Sequence, residues 1–189
     1  MSGEAQLWLI RHAPVDGPRG VLHDHEAPAD LGDTAALEAL RDKLPAKAAA
    51  YCSPSRRTVE TAQALGLVAT KEMAFREQSF GAWTGRRHKE IEAELGAAAY
   101  REFWRAPATN RPPDGESFTD QIARVSAGLT ALPAGDVILV VHSGTIRSAL
   151  AIALGISPES ALRFVIDPLS VTRIDRLDND WRIVGVNRR

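Results

Sequence analysis

Cys52 is the only cysteine in the chain, and a lone thiol excludes both an internal disulfide framework and metal sites built from several cysteines. Next to Tyr51 it reads as a small core residue. Long apolar runs are missing as well. The N-terminal one, Leu7 to Ile10, meets Arg11 after four residues, far short of the roughly 20 needed to cross a bilayer as a helix. Neither sign of charge prevails. With 23 basic and 24 acidic side chains the formal charge is -1, so no overall field draws the chain to nucleic acid or a membrane surface, and any bound anion must be held locally. Nothing repeats at a fixed period, and the one biased stretch is the alanine-rich Ala46 to Ala50. What is left is a globular chain of 189 residues, long enough for one core of sheet and helices. It is expected to be soluble and cytoplasmic.

Strand and helix patterns alternate along it. Leu7 to Arg11 reads as a strand, and a loop rich in Pro, Gly and Asp follows as far as Asp33. Asp33 can cap a helix that carries Leu37, Leu40 and Leu44 on one face and stops at Pro45. Tyr51 and Cys52 close a short second strand, with Ser53 placed as N-cap and Pro54 as first residue of a helix that stops near Gly66. A lid-like helical excursion around 75–116, holding Trp83 and Trp104, interrupts the alternation. Phe118, Ile122, Val125, Leu129 and Leu132 then recur at helical spacing. Val137 to Val141 is continuously apolar, as a strand buried on both faces would be. A turn at Ser143-Gly144 opens a helix ending near Gly155, and Ser170 to Val186 reads as two strands around the turn Leu177 to Asp180. The pattern predicts an α/β fold in a single domain over 1–189.

Two of these strands end in histidine, at His12 and His142. Ligands of open α/β sheets bind beyond the carboxyl ends of the strands, so two imidazoles there imply one shared site. Between them lie Ser53-Pro54-Ser55-Arg56-Arg57, then Glu77 ahead of Phe80-Gly81-Ala82-Trp83, then Gly115-Glu116-Ser117. A phosphoryl group in transfer spreads charge over three oxygens and calls for fixed cations around an in-line nucleophile. Arginine suits that task because its planar fork binds two phosphate oxygens at once. A neutral histidine nitrogen can accept the phosphoryl group, and a carboxyl group can protonate the leaving alkoxide before activating water. Arg56 and Arg57 cannot share a helix face, since neighbours are turned by about 100°.

Taken in order from Leu7 to about Arg147, these segments resemble the histidine phosphatase superfamily, the phosphoglycerate mutase-like enzymes of branch 1. Arg11-His12-Ala13-Pro14-Val15, Phe80-Gly81-Ala82-Trp83, and Phe103-Trp104 with Gly115-Glu116-Ser117 look most like the α-ribazole phosphatases of cobalamin synthesis. The resemblance implies a three-layer sandwich with a mostly parallel central sheet flanked by helices. It implies His12 as the phosphorylated residue, Arg11, Arg57 and His142 as the phosphate pocket, and Glu77 as proton donor. The spacing from Ser53-Pro54 selects Arg57 and leaves Arg56 as a solvated charge. The implied activity is hydrolysis of a small organic phosphate ester without cofactor or metal, with α-ribazole 5'-phosphate as leading substrate. A broad-specificity sugar phosphatase or a phosphoglycerate mutase-like enzyme is the alternative. The contrasting class, a non-catalytic phosphate-binding module, needs neither a nucleophile nor an acid.

Three departures from the family pattern stand out: Ala13 replaces the usual glycine, Pro14-Val15 the usual Glu-Thr, and Ser143 a second glycine. Ala13 is expected to narrow the pocket with its methyl. The Ser143 hydroxyl is expected either to contact phosphate or to cap the helix after it. His23-Asp24-His25-Glu26 offers metal-ligand residue types but sits in a Pro/Gly-rich loop, and is read as the pocket mouth. Arg86-Arg87-His88-Lys89 is either a solvated helix face or an attractor of anionic substrate.

Overall fold

The computed structural model describes residues 3–189. Six strands form one sheet: β1 (Ala5–Arg11), β2 (Ala49–Cys52), β3 (Thr70–Lys71), β4 (Gly135–Val141), β5 (Val171–Arg176) and β6 (Trp181–Arg188). Their order is β3-β2-β4-β1-β5-β6. The first four are parallel, and β5 and β6 extend the sheet as an antiparallel hairpin on the β1 side.

Side chains alternate across a strand, so each buried strand feeds two cores. Leu7, Leu9, Val137, Leu139 and Val141 face α5 (Phe118–Ala131) and α6 (Ser143–Leu154), meeting Val125, Leu129, Ile146 and Leu150. Ile10, Cys52, Ile138 and Val140 face α1 (Thr34–Arg41) and α2 (Arg56–Ala64), meeting Leu37, Leu40, Ala62 and Leu65. The result is the expected three-layer sandwich, with Val137 to Val141 buried on both faces.

Several boundaries differ from expectation. Asp33 does cap α1 by accepting from Ala36 N, but the helix ends at Arg41, closed by Asp42 N donating to Glu38 O and Lys43 N to Leu40 O, ahead of Pro45. Helix α2 begins two residues later than its Ser-Pro signal, with Ser55 as N-cap. Ser53 instead continues β2, its N–H donating to Val140 O at 3.1 Å. At α6 the N-cap is His142 and Ser143 is already the first helical residue, so the Ser143 hydroxyl is not a cap. The short β3 and α7 (Pro158–Ala161) carry too few residues for a periodic signal.

Between β3 and α5 the chain forms α3 (His88–Leu95) and α4 (Ala97–Arg105). Trp83 and Ile91 make a small core there with Leu22, Phe80, Tyr100 and Phe103. Leu22 comes from the loop after β1, which is tied to this excursion by a Val21–Arg87 bridge and by Gly85 N donating to Leu22 O. Among the described residues no helix is long and apolar enough to cross a membrane.

Candidate active site

Strands β1 and β4 are adjacent and parallel, with Arg11 opposite Val141. The residue after each is therefore delivered to the same level. His12 N donates to Val141 O at 2.9 Å, and the rings of His12 and His142 stand 5.0 Å apart, edge to face. Strand β2, on the other side of β4, places Ser53 Oγ 2.8 Å from His142 Nε2. The first turn of α2 then brings in the buried Arg57.

The tautomers follow from the partners. His12 Nδ1 lies 2.6 Å from Ala13 O. A carbonyl only accepts, so Nδ1 carries the proton and Nε2 is left with a lone pair. Burial holds the His12 pKa well below its ordinary value, and the charges of His142, Arg57 and Arg11 act in the same direction. Fully buried His142 is likewise held well below its ordinary value, first by burial and then by Arg57, Arg11 and Arg124. Arg57 Nη2 approaches His142 Nδ1 at 3.4 Å, and because a guanidinium only donates, the His142 proton is on Nε2 and goes to Ser53 Oγ. Both nitrogens of neutral His142 are thus engaged, Nε2 with Ser53 and Nδ1 with Arg57.

Arg11 Nη1 donates to Ile166 O, while its buried Nε has no partner. Arg57 Nη1 donates to Asp24 O at 2.6 Å. Burial pushes both guanidinium pKa values down and Glu77 acts against it; arginines in proteins stay charged regardless. Glu77 Oε1 accepts from Gln121 Nε2 at 3.0 Å and Gln78 N at 3.1 Å, and Oε2 accepts from Gly144 N at 3.4 Å.

Arg11, His12, Arg57, Glu77 and Ser143 share the wall of one cavity of about 770 Å³ with Val15, Val21, Leu22, Met73 and Phe80. His142 stands behind that wall. A second cavity, of about 380 Å³ between α1 and the β5–β6 hairpin, contains none of these five. The expected set is therefore gathered at one place, at the carboxyl ends of β1 and β4.

The departures and side readings also find their places. Ala13 is fully buried in the α1–α2 core and does not line the cavity, so its methyl does not narrow the pocket. Thr61 Oγ1 accepts from Ala13 N at 3.0 Å and holds the backbone there. Arg56 is exposed and paired with Glu60 at 2.7 Å. His23, Asp24 and His25 do line the cavity mouth, and Asp24 Oδ1 closes a turn by accepting from Glu26 N and Ala27 N. Among the described residues no three His, Cys, Asp or Glu side chains are grouped to hold a metal ion. Within the basic run Arg86 pairs with Glu94 at 2.6 Å, His88 Nδ1 meets Tyr100 Oη at 2.8 Å, and Arg87 is the N-cap residue of α3, its backbone N–H donating to Glu90 Oε2 at 3.0 Å.

Two residues of this neighbourhood, Gln121 as partner of Glu77 and Arg147, carry no motif signal, and Ser53, though part of a matched segment, was not expected as the partner of His142. The Arg147 guanidinium donates through Nε to Phe164 O at 2.9 Å and is close enough to Glu77 and Arg11 for their charges to act on one another. Gln121 alone had a readable sign, an amide on the apolar stripe of α5 between Phe118 and Val125.

Cations fixed around a neutral imidazole at a sheet edge define a class, the phosphoryl-transfer enzymes that work through histidine. The model of the histidine phosphatase superfamily (branch 1) matches residues 7–189, and the chain belongs to that family. It is an enzyme with the phosphatase activity of that family. The chain is 27% identical over 197 residues to a Yersinia enterocolitica protein named probable phosphoglycerate mutase GpmB, covering 95% of this chain and 89% of that one. The mycobacterial glucosyl-3-phosphoglycerate phosphatase superposes with a TM-score of 0.78 at 26% identity, over 98% of this chain and all (100%) of that one. The alpha-ribazole phosphatase of Shigella flexneri shares the fold, with a TM-score of 0.81 at 23% identity over 96% of each chain.

Proposed function

We propose that the protein is a phosphomonoesterase that hydrolyses a small organic phosphate through a phosphohistidine at His12. One observation carries the reading: the 2.6 Å hydrogen bond from His12 Nδ1 to Ala13 O, which leaves Nε2 as a lone pair. Arg11 and Arg57 hold the phosphoryl oxygens. Nε2 attacks phosphorus as the ester P–O bond breaks, and the leaving alkoxide takes the proton of Glu77. Water then attacks the same phosphorus and gives a proton to the Glu77 carboxylate. The P–N bond breaks, phosphate departs, and Nε2 is restored. A bound dianion offsets the burial, and the repulsion by Arg57 and Arg11, that hold His142 below its ordinary pKa. His142 then protonates, and Nδ1, released from its long contact with Arg57, donates to a non-bridging oxygen. Ser143 joins through the N-terminus of α6, where free N–H groups favour an anion.

Beyond the phosphate, the alcohol part of the substrate meets Val15, Val21, Leu22, Met73 and Phe80. Arg76, the further guanidinium in the wall, is paired with Glu116 at 3.1 Å. A second anionic group, as a phosphoglycerate carries, meets no unpaired guanidinium there, whereas an aromatic base meets apolar walls. This supports hydrolysis over a mutase reaction and α-ribazole 5'-phosphate as leading substrate, with the excursion around 75–116 as the lid. The 26% identity to the glucosyl-3-phosphoglycerate phosphatase favours a second reading, a sugar phosphatase.

Rapid quench with isotopically labelled substrate is expected to trap an acid-labile, base-stable adduct in the wild type. His12→Ala should lose the adduct and about ten-thousandfold or more in turnover. Label on any other side chain overturns the mechanism. A preference of about tenfold or more in kcat/KM for α-ribazole 5'-phosphate over sugar phosphates identifies the substrate, and a flat profile favours the broad reading.

A further inference from the structure

Gln121 puts an amide where α5 has room for a hydrocarbon. It is fully buried, three residues after Phe118 and four before Val125 on the buried stripe of the helix. Its Nε2 donates to Glu77 Oε1 at 3.0 Å and more weakly to Arg76 O at 3.4 Å, while its own Oε1 is buried without a partner. An orphaned acceptor destabilises a fold, and an apolar residue at this position would not have one. Core packing therefore does not account for the amide, and its best contact is the Glu77 carboxyl.

The two oxygens of that carboxyl differ. Oε1 takes two N–H groups, from Gln121 at 3.0 Å and from Gln78 at 3.1 Å, whereas Oε2 takes one long contact from Gly144 at 3.4 Å. A proton settles on the oxygen whose lone pairs are less engaged. We infer that Gln121 is a positioning residue for the reaction, fixing Oε1 as the unprotonated oxygen so that Oε2 carries the proton delivered to the leaving group. Gln121 can do this only if Glu77 is the proton donor, so the assignment rests on that reading. The charges that act with Glu77 come from Arg11 on β1, Arg57 on α2 and Arg147 on α6, and Arg76 beside it is held by Glu116. Gln121 is neutral, and what it adds is direction.

The test is single-turnover phosphorylation by an alkyl phosphate and by p-nitrophenyl phosphate, with circular dichroism and an unfolding midpoint to establish that each variant is folded. Gln121→Met keeps the length and removes the donor. The rate should fall about tenfold for the alkyl phosphate and about twofold or less for p-nitrophenyl phosphate, whose leaving group needs little protonation. Gln121→Glu replaces the donating amide by an acceptor and should lose at least as much on the alkyl phosphate. Equal losses on the two substrates, or none, in folded Gln121→Met overturn the inference, and if that variant does not fold, the same result in Gln121→Glu does so. Glu77→Gln separates this from the parent reading. If Glu77→Gln leaves alkyl phosphate phosphorylation at the wild-type rate, Glu77 is not the acid; if it slows that step while Gln121→Met does not, only the role of Gln121 fails.

Discussion

A Cβ on Gly144 would collide with Glu77 Oε1 and stand 2.8 Å from Gln121 Oε1. The acid and its partner are packed directly onto the first turn of α6, where only hydrogen fits. Gly144→Ala adds a good helix former, so the helix itself gains slightly, and the displaced group is Glu77. Misplacing a reacting group by about 1 Å can slow a reaction about a hundredfold. We expect Gly144→Ala to lower single-turnover phosphorylation of an alkyl phosphate by about that factor, with far less effect on p-nitrophenyl phosphate. Equal losses on both substrates would mean that the methyl disturbs the phosphate pocket instead. Glu116, the other carboxylate of the matched segments, is bound from three sides: by Arg124 at 3.0 and 2.9 Å, by Arg76 at 3.1 Å and by Ser79 N at 3.0 Å. Burial works against its charge, yet these donors outweigh it and hold the pKa down. Such a carboxylate ties the excursion to α5 and is poorly suited to give up a proton.

At the scale of elements, two motif segments that are far apart in sequence prove to be a single crossing. Phe80-Gly81-Ala82-Trp83 forms one 3-10 turn against 113–115, with Ala82 N donating to Pro113 O at 2.9 Å and Glu116 N to Ser79 O at 2.8 Å. Gly81 has φ +51°, and a Cβ there would strike Pro113 O and come within 2.6 Å of Gly115 N. Both the left-handed backbone and the close approach demand glycine. Gly81→Ala should therefore destabilise the fold by about 2 kcal/mol or more, the strain and the backbone clash acting together. Because Ser79 and Phe80 line the cavity, KM should rise with it. An unchanged urea midpoint would falsify this account of the crossing.

The whole molecule holds two buried histidines below their ordinary pKa. In the unfolded chain they take up protons as pH falls through about 6.5, and in the folded protein they do not. The unfolded state then binds more protons, so stability decreases as pH falls below about 6.5, by up to about 1.4 kcal/mol per pH unit for each histidine. Carboxylates held low, such as Glu116 and Asp120, contribute only as pH drops into and below their own range. The window between pH 6.5 and 5 thus belongs to His12 and His142. Urea midpoints are expected to fall steeply across it, and His142→Asn should remove about half of the slope. A midpoint that stays flat from pH 7 to 5 contradicts neutral, buried imidazoles.

The layers were legible in the sequence because burial writes a local period: Val137 to Val141 had to be a two-faced strand, and Phe118 to Leu132 a one-faced helix. The gathering of His12, Arg57, Glu77 and His142 was legible in part for the same reason, since strand ends in a parallel sheet share one edge, and in part from the order of the motifs. Helix starts were less so. The Ser53-Pro54 signal lost to the sheet, which kept Ser53 N on Val140 O and Ser53 Oγ on His142. Proton positions were out of reach of any local pattern. That His12 presents Nε2 depends on the fold of residue 13, that His142 is neutral on its burial and on Arg57 arriving from α2, and that Glu77 has two unlike oxygens on Gln121 from α5 and Gly144 from α6. Hydrogen bonds act over about 3 Å, and only the tertiary structure brings partners 85, 44 and 67 residues apart within that distance or close to it.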